Sequence, residues 1–394
     1  MLPTTRLLVL LLALVASTVG MAQPSHLVEV GVADSVASEV LGEQRAFWVH
    51  LPNGGDLREG HRYPVIYLLD GGAHLAALAA VQDAYTPFRM PEMIVVAVSN
   101  RTHRTRDLTT SPVATRQGAA VEASGGAERF TRFLAEELMP YIDARYPTSG
   151  HRTLIGHSYG GLFAIHTLVH HGDLFTNYIA IDPSLDWDDQ RLLREATDAL
   201  AAGQGSGKGL YVSLANEIIR FSDTLTLDDV AQDTTAFSLG IRSTLAFVQA
   251  AEAARPSGLR FSWGYYEQDI HGSVPLISMR DGLVFLYDWW ELKHPSRYND
   301  PSTPTEDLVA LIRARSETLT AGLGEPTAME EELLAMLGDM AMDMGQTEKA
   351  GALFALLVEY YPESADAHAT LADFFEAQGD VPQALHHARE AFAL

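Results

Sequence analysis

Thr153-Leu154-Ile155-Gly156-His157-Ser158-Tyr159-Gly160-Gly161 is an apolar run that enters Gly-x-Ser-x-Gly and passes straight into the helical stretch Leu162–Val169. A strand, a turn with no room for side chains beside the serine, and a helix make a nucleophile elbow. Gly156 and Gly160 relieve the clashes of such a turn and leave the Ser158 hydroxyl in the open. The same turn aims the Tyr159 amide and the helix N-terminus at a developing oxyanion. The bland alternative is an ordinary strand–turn–helix connection.

Outward from the elbow, short β-rich runs alternate with helical patterns between about residues 26 and 290. The runs are Ala46–Leu51, Val65–Leu69, Met93–Ser99, Arg152–Gly156, Asn177–Asp182, Leu210–Leu214 and Leu259–Tyr265. Several are apolar without alternation, as strands covered on both faces are. Glu128–Tyr146 carries Phe130, Phe133, Leu134, Leu138 and Ile142 at helical spacing. This order predicts an α/β fold with a mostly parallel central sheet and helices on both sides. Ligands of such sheets sit beyond the carboxyl ends of the strands.

A serine hydroxyl needs a base within hydrogen-bond reach, usually a histidine from later in the chain. His166, His170 and His171 lie on or just after the elbow helix and cannot bend back to Ser158. His294 falls at a chain boundary, and His368, His386 and His387 fall in the last helices. His271 remains, in Asp269-Ile270-His271-Gly272-Ser273-Val274-Pro275, just after the last strand. For the acid, the loop after Leu210–Leu214 offers Glu217, with Asp223 second and Asp269 a loop-ordering residue. A serine–histidine pair without an acid is a further option. The glycines after Tyr67-Leu68-Leu69-Asp70 supply the second oxyanion donor, Gly71 or Gly72, unless they form a simple turn.

The composition is that of an ordinary globular protein, 47% hydrophobic and 20% charged. With 27 basic against 51 acidic residues the formal charge is −24, which repels phosphate backbones and makes nucleic acid an improbable partner. There is no cysteine, so disulfides, thiolate metal sites and lipoprotein anchoring are excluded. The reaction sketched requires no cofactor and no metal, and no His-Glu-x-x-His pair is present.

The segments Tyr67-Leu68-Leu69-Asp70-Gly71, Gly156-His157-Ser158-Tyr159-Gly160-Gly161 and His271-Gly272-Ser273-Val274-Pro275 resemble the putative esterase family of α/β-hydrolases. That family includes S-formylglutathione hydrolases, feruloyl esterases, siderophore esterases and mycolyltransferases. The resemblance spans roughly residues 26–292. It includes Asn100-Arg101-Thr102-His103-Arg104-Thr105-Arg106-Asp107-Leu108-Thr109 and Asp182-Pro183-Ser184-Leu185-Asp186-Trp187, where Asp182 and Asp186 stand in place of the commoner serine and tryptophan. It implies an α/β-hydrolase fold and a serine carboxylic-ester hydrolase acting on a small-molecule ester. Acyl transfer at the same site is a variant of that chemistry. Arg104 and Arg106 follow a strand and are expected either to contact an anionic acyl group or to brace a loop by ion pairing. Trp187, with Tyr159, is a candidate pocket wall or a packing residue.

Residues 293–304, rich in Pro and Ser, read as a linker. From 305 onward a self-similarity appears: Leu337-Gly338 with Leu371-Ala372, Gly345 with Gly379, Ala350 with Ala384, and Leu357 with Ala391. This is the tetratricopeptide pattern of paired helices. Thirteen acidic residues stand against two basic ones from Pro326 onward, which suits a solvated surface or a basic protein or peptide partner. A rival reading makes these repeats the working part and the hydrolase fold an idle scaffold. At the other end, Arg6 and the apolar run Leu7–Val15 precede Gly20-Met21-Ala22-Gln23, a signal-peptide pattern with cleavage expected after Ala22 and export to the periplasm or beyond the cell. No span of the mature chain reads as transmembrane.

Overall fold

The structure is a computed structural model, and it describes residues 30–116 and 118–394. The expected signal peptide lies outside the described residues. Eight strands form one sheet: β1 (Val32–Ser38), β2 (Glu43–His50), β3 (Tyr63–Leu68), β4 (Ile94–Val98), β5 (Thr148–His157), β6 (Asn177–Ile181), β7 (Gly209–Ala215) and β8 (Arg260–Tyr266). Their order is β1-β2-β4-β3-β5-β6-β7-β8. The first two pairings are antiparallel and the rest parallel.

Strands β3, β4, β6 and β7 are buried at every residue. That explains their lack of alternation, because helices cover both faces and each face demands apolar side chains. One face packs Val65, Tyr67, Val96, Leu154 and Leu210 against α2 (Ala127–Phe133), α3 (Tyr159–His170), α4 (Arg191–Ala201) and α5 (Leu239–Ala254). The other packs Ile66, Val95, Ile155 and Ile179 against α1 (Gly71–Tyr85) and α6 (Val274–Leu286). Each fully buried aliphatic side chain contributes about 1.5–3 kcal/mol. The seven expected strands are present to within a few residues at their ends. The eighth, β1, was not expected, because it is an edge strand whose outer residues are polar or exposed.

Past residue 304 the chain is helical: α7 (Thr305–Leu323), α8 (Glu331–Asp343), α9 (Thr347–Tyr360), α10 (Ala365–Ala377) and α11 (Val381–Ala393). The pair α10/α11 begins 34 residues after α8/α9 at both helices (365 − 331 and 381 − 347). A Cβ on Gly338 would lie 2.2 Å from the Phe354 ring, so the small residue lets α8 and α9 close on each other. The helical unit docks through α7: Leu319 joins the apolar cluster of Leu286, Tyr287 and Trp290, and Arg315 donates to the Trp289 and Trp290 carbonyls at 3.0 and 2.5 Å. Residues 293–304 are more than a tether, since Ser296–Asn299 is a helical turn whose Tyr298 is buried with Leu308 and Leu353.

Candidate active site

Strand β5 delivers the chain into Ser158 at φ 61°, ψ −113°, and α3 begins at the next residue. For a residue with a Cβ this backbone costs on the order of 1–3 kcal/mol, and the surroundings must hold it. They do so through three bonds: Ser158 N donates to the Ile181 carbonyl at 2.9 Å, and its own carbonyl accepts from Leu162 N and Ser184 N at 3.0 and 3.1 Å. A Cβ on Gly156 would fall 2.2 Å from the Gly160 carbonyl oxygen, so the turn closes only with glycine there. Ser158 Oγ lies 3.2 Å from Ser184 Oγ and makes no hydrogen bond to His271.

His271 sits in the loop after β8, its ring centroid 4.4 Å from that of His157, the neighbour of Ser158. Its Nδ1 is 2.5 Å from Asp182 Oδ2. This corrects the expectation for the acid: the carboxylate on the imidazole is Asp182, at the end of β6, and not Glu217. Asp182 is 9% exposed, and its other oxygen accepts from Ala215 N at 3.1 Å, which locks its orientation. Glu217 touches the same residue differently, accepting from the His271 backbone N–H at 2.8 Å. Asp223 is exposed on the following loop and makes no bond to His271. Asp269 accepts from Ser273 Oγ at 2.8 Å and orders the histidine loop, as expected.

The hydrogen bond it donates to Asp182 raises the His271 pKa above its ordinary value, and burial opposes it more weakly. His157 is the reverse case: burial first, then the neighbouring His271, pull it down to about 3, so it stays neutral beside His271.

The amides expected to face an oxyanion begin two helices. Tyr159 opens α3, Gly71 and Gly72 open α1, and none of the three N–H groups has an acceptor among the described residues. Arg104 ties the two helix starts together. Its Nε donates to both Asp70 oxygens at 2.9 and 3.0 Å, its Nη2 donates to the His157 carbonyl at 3.0 Å, and its guanidinium lies 5.2 Å over the Tyr159 ring. Asp70 N in turn donates to Asn100 Oδ1 at 3.1 Å. The brace reading of Arg104 therefore has direct geometry, with part of the side chain still exposed.

Arg106 is not at the cleft. It pairs with Glu43 at 2.8 Å and with Asp107, which Arg45 also holds. Trp187 is 1% exposed and donates to the Ser111 carbonyl at 3.1 Å, so it packs behind Tyr159 and lines no open pocket. Arg116, overlooked in the sequence, lies 5.4 Å over Tyr159 and 5.1 Å over Trp187 while paired with Asp186 at 2.9 Å. Its clue was Asp186 standing where the family carries tryptophan. Among the described residues no helix is long and apolar enough to cross a membrane.

The family model described as "Putative esterase" matches residues 38–204. The chain is 38% identical over 104 residues to the siderophore enterobactin esterase of Emericella nidulans, covering 26% of this chain and 32% of that protein. It is 30% identical over 171 residues to the ferri-bacillibactin esterase BesA of Bacillus subtilis, covering 39% and 58%. The matches thus span about a third and somewhat over half of those relatives' lengths. An IroE-like serine hydrolase from Shewanella oneidensis superposes with a TM-score of 0.68 at 26% identity, covering 84% of this chain and 99% of that one. A match of that breadth runs past the sheet into the helices that follow. With the sheet order, the elbow and the matched sequence in agreement, the chain has an α/β-hydrolase fold whose residues 38–204 are similar to the putative esterase family.

Proposed function

We propose that this protein is a serine hydrolase of small-molecule carboxylic esters, with Ser158 as nucleophile, His271 as base and Asp182 as the acid that orients it. The observation that carries the reading is the Asp182–His271 pair set beside a serine held on an elbow. On substrate binding Ser158 Oγ turns from Ser184 toward His271 Nε2, a rotation about one side-chain bond. It attacks the ester carbonyl while His271 takes its proton, and the amides of Tyr159 and of Gly71 or Gly72 hold the oxyanion. His271 returns the proton to the departing alcohol, leaving an acyl-serine. Water, deprotonated by His271, then releases the acid and restores the hydroxyl.

Glu217 is a positioning residue in this scheme, holding the backbone of the histidine loop. The names of the relatives point to siderophore esters as the substrate class to test first. The N-terminal pattern supports export with cleavage after Ala22, and the 34-residue spacing of the last helices supports a tetratricopeptide-like unit that docks on the hydrolase or recruits a partner. The decisive test is an ester panel, including a cyclic catecholate triester, run on wild type and on Ser158→Ala. Turnover by wild type and none by the folded variant sustains the reading. Equal turnover by both, or none by wild type that also resists fluorophosphonate labelling, overturns it.

A further inference from the structure

We propose that Glu128, His166 and His171 form a binding site for one divalent transition-metal ion of the zinc type, separate from the ester chemistry. One candidate ligand atom from each of the three residues lies within 4.8 Å of the other two. Glu128 Oε2 is 2.8 Å from His171 Nε2 and 3.8 Å from His166 Nε2. Ligand atoms about 3.3 Å apart are what a tetrahedral zinc with bonds of about 2.0–2.2 Å requires, and the two distances bracket that spacing.

The backbone explains how the two imidazoles meet. Residues five apart on a helix point about 140° away from each other. His171 lies just beyond the end of α3, at φ −140° and ψ 43°, and this turn swings its ring back to 5.7 Å from that of His166. His170, between them, keeps its ring 4.9 Å from that of His166, and its Nε2 pairs with Glu195 at 3.4 Å. Glu128 reaches in from the first turn of α2.

A second observation points to a ligand. His166 is 8% exposed, and its Nε2 is buried with no hydrogen-bond partner, although it faces the Glu128 carboxylate from 3.8 Å. An unsatisfied buried polar atom costs about 1–3 kcal/mol, a cost that a metal bond would remove. Two imidazoles and one carboxylate suit zinc, copper or nickel over calcium or magnesium. The Glu128 side chain is 63% exposed, so a fourth position faces solvent. Counted along α3 at 1.5 Å per residue, His166 is about 12 Å beyond Ser158. An ion here would clip α2 to α3 without touching the reacting atoms.

The test uses the full chain dialysed against EDTA and titrated with zinc chloride by calorimetry, with cobalt as a visible-absorbing substitute. One equivalent of zinc is expected to bind. Glu128→Gln, at an exposed position, and His171→Asn, at a half-buried one, are each expected to weaken that binding by more than about tenfold, since even outer-shell partners of a metal are worth that much. Aryl-ester turnover by both variants is expected to match wild type, so failure here and failure of the esterase reading are separately visible. Absence of saturable binding overturns the proposal. So does undiminished binding in His171→Asn, which would put the ion elsewhere.

Discussion

In the sheet domain the residues that meet are distant in sequence: Asp182 reaches His271 across 89 positions, and Arg104 reaches His157 across 53. In the terminal helices the partners follow one another, α8 on α9 and α10 on α11, each pair a copy of the other at a 34-residue offset. The first arrangement can converge several strand ends on one point and build a site there. The second stacks neighbours, creates surface, and can lose a contact without disturbing anything two helices away. The consequences of mutation should therefore differ in kind between the two regions: large losses of rate with little loss of stability near Ser158, and modest losses of stability with no loss of rate beyond residue 304.

The strongest challenge to that contrast is Ser158→Ala, expected to lower kcat by about 10⁴- to 10⁶-fold with an unchanged circular dichroism spectrum. Retained turnover would mean that the convergence of strands has no catalytic meaning. Asp182→Asn comes next, with an expected loss of about 10³- to 10⁴-fold in kcat, because the imidazole loses both its orientation and the charge that stabilises its protonated form. Glu217→Gln should cost no more than about tenfold, since it touches only the backbone of the loop. If the two variants fell in the reverse order, the assignment of the acid would revert to Glu217.

A pH profile sharpens the same comparison. His271 must be neutral to accept the Ser158 proton, and its pKa is raised, chiefly by Asp182. The acid limb of kcat/KM for wild type should therefore fall away at a pH above the ordinary histidine value of about 6.5. In Asp182→Asn the residual activity should persist to lower pH, because burial, which lowers the pKa, then meets little opposition. A limb that stayed in place would show that another group titrates.

Arg104→Ala is expected to lower kcat by about 10- to 100-fold, through the loosened link between the Asp70 turn and the elbow. A change confined to KM would instead assign Arg104 to substrate contact. The smallest effect belongs to the helices. Gly338→Val should destabilise the helical unit by about 1–3 kcal/mol through overpacking against Phe354, read as a lowered melting transition, while ester turnover at 25 °C stays at the wild-type level.

The elbow turn at Ser158 and the strand-and-helix alternation could be read from the chain, because each depends on residues adjacent to it. The elbow is a local backbone event, covered strands are apolar throughout, and a repeat announces itself by its spacing. The acid could not be read in this way. Asp182 and Glu217 both follow strands that end on the same side of the sheet, and only the lateral order β5-β6-β7-β8 decides which carboxylate faces the imidazole and which meets its backbone. Arg106 and Trp187 misled for the same reason. A position just after a strand says that a side chain lies near the cleft, but whether it points into the cleft or into the core depends on partners such as Glu43 and Ser111 that come from elsewhere in the chain. Local sequence determined where the chain turns and which groups can react. Tertiary structure decided which charges stand together, because that depends on the packing of segments whose separation along the chain carries no information about their distance in space.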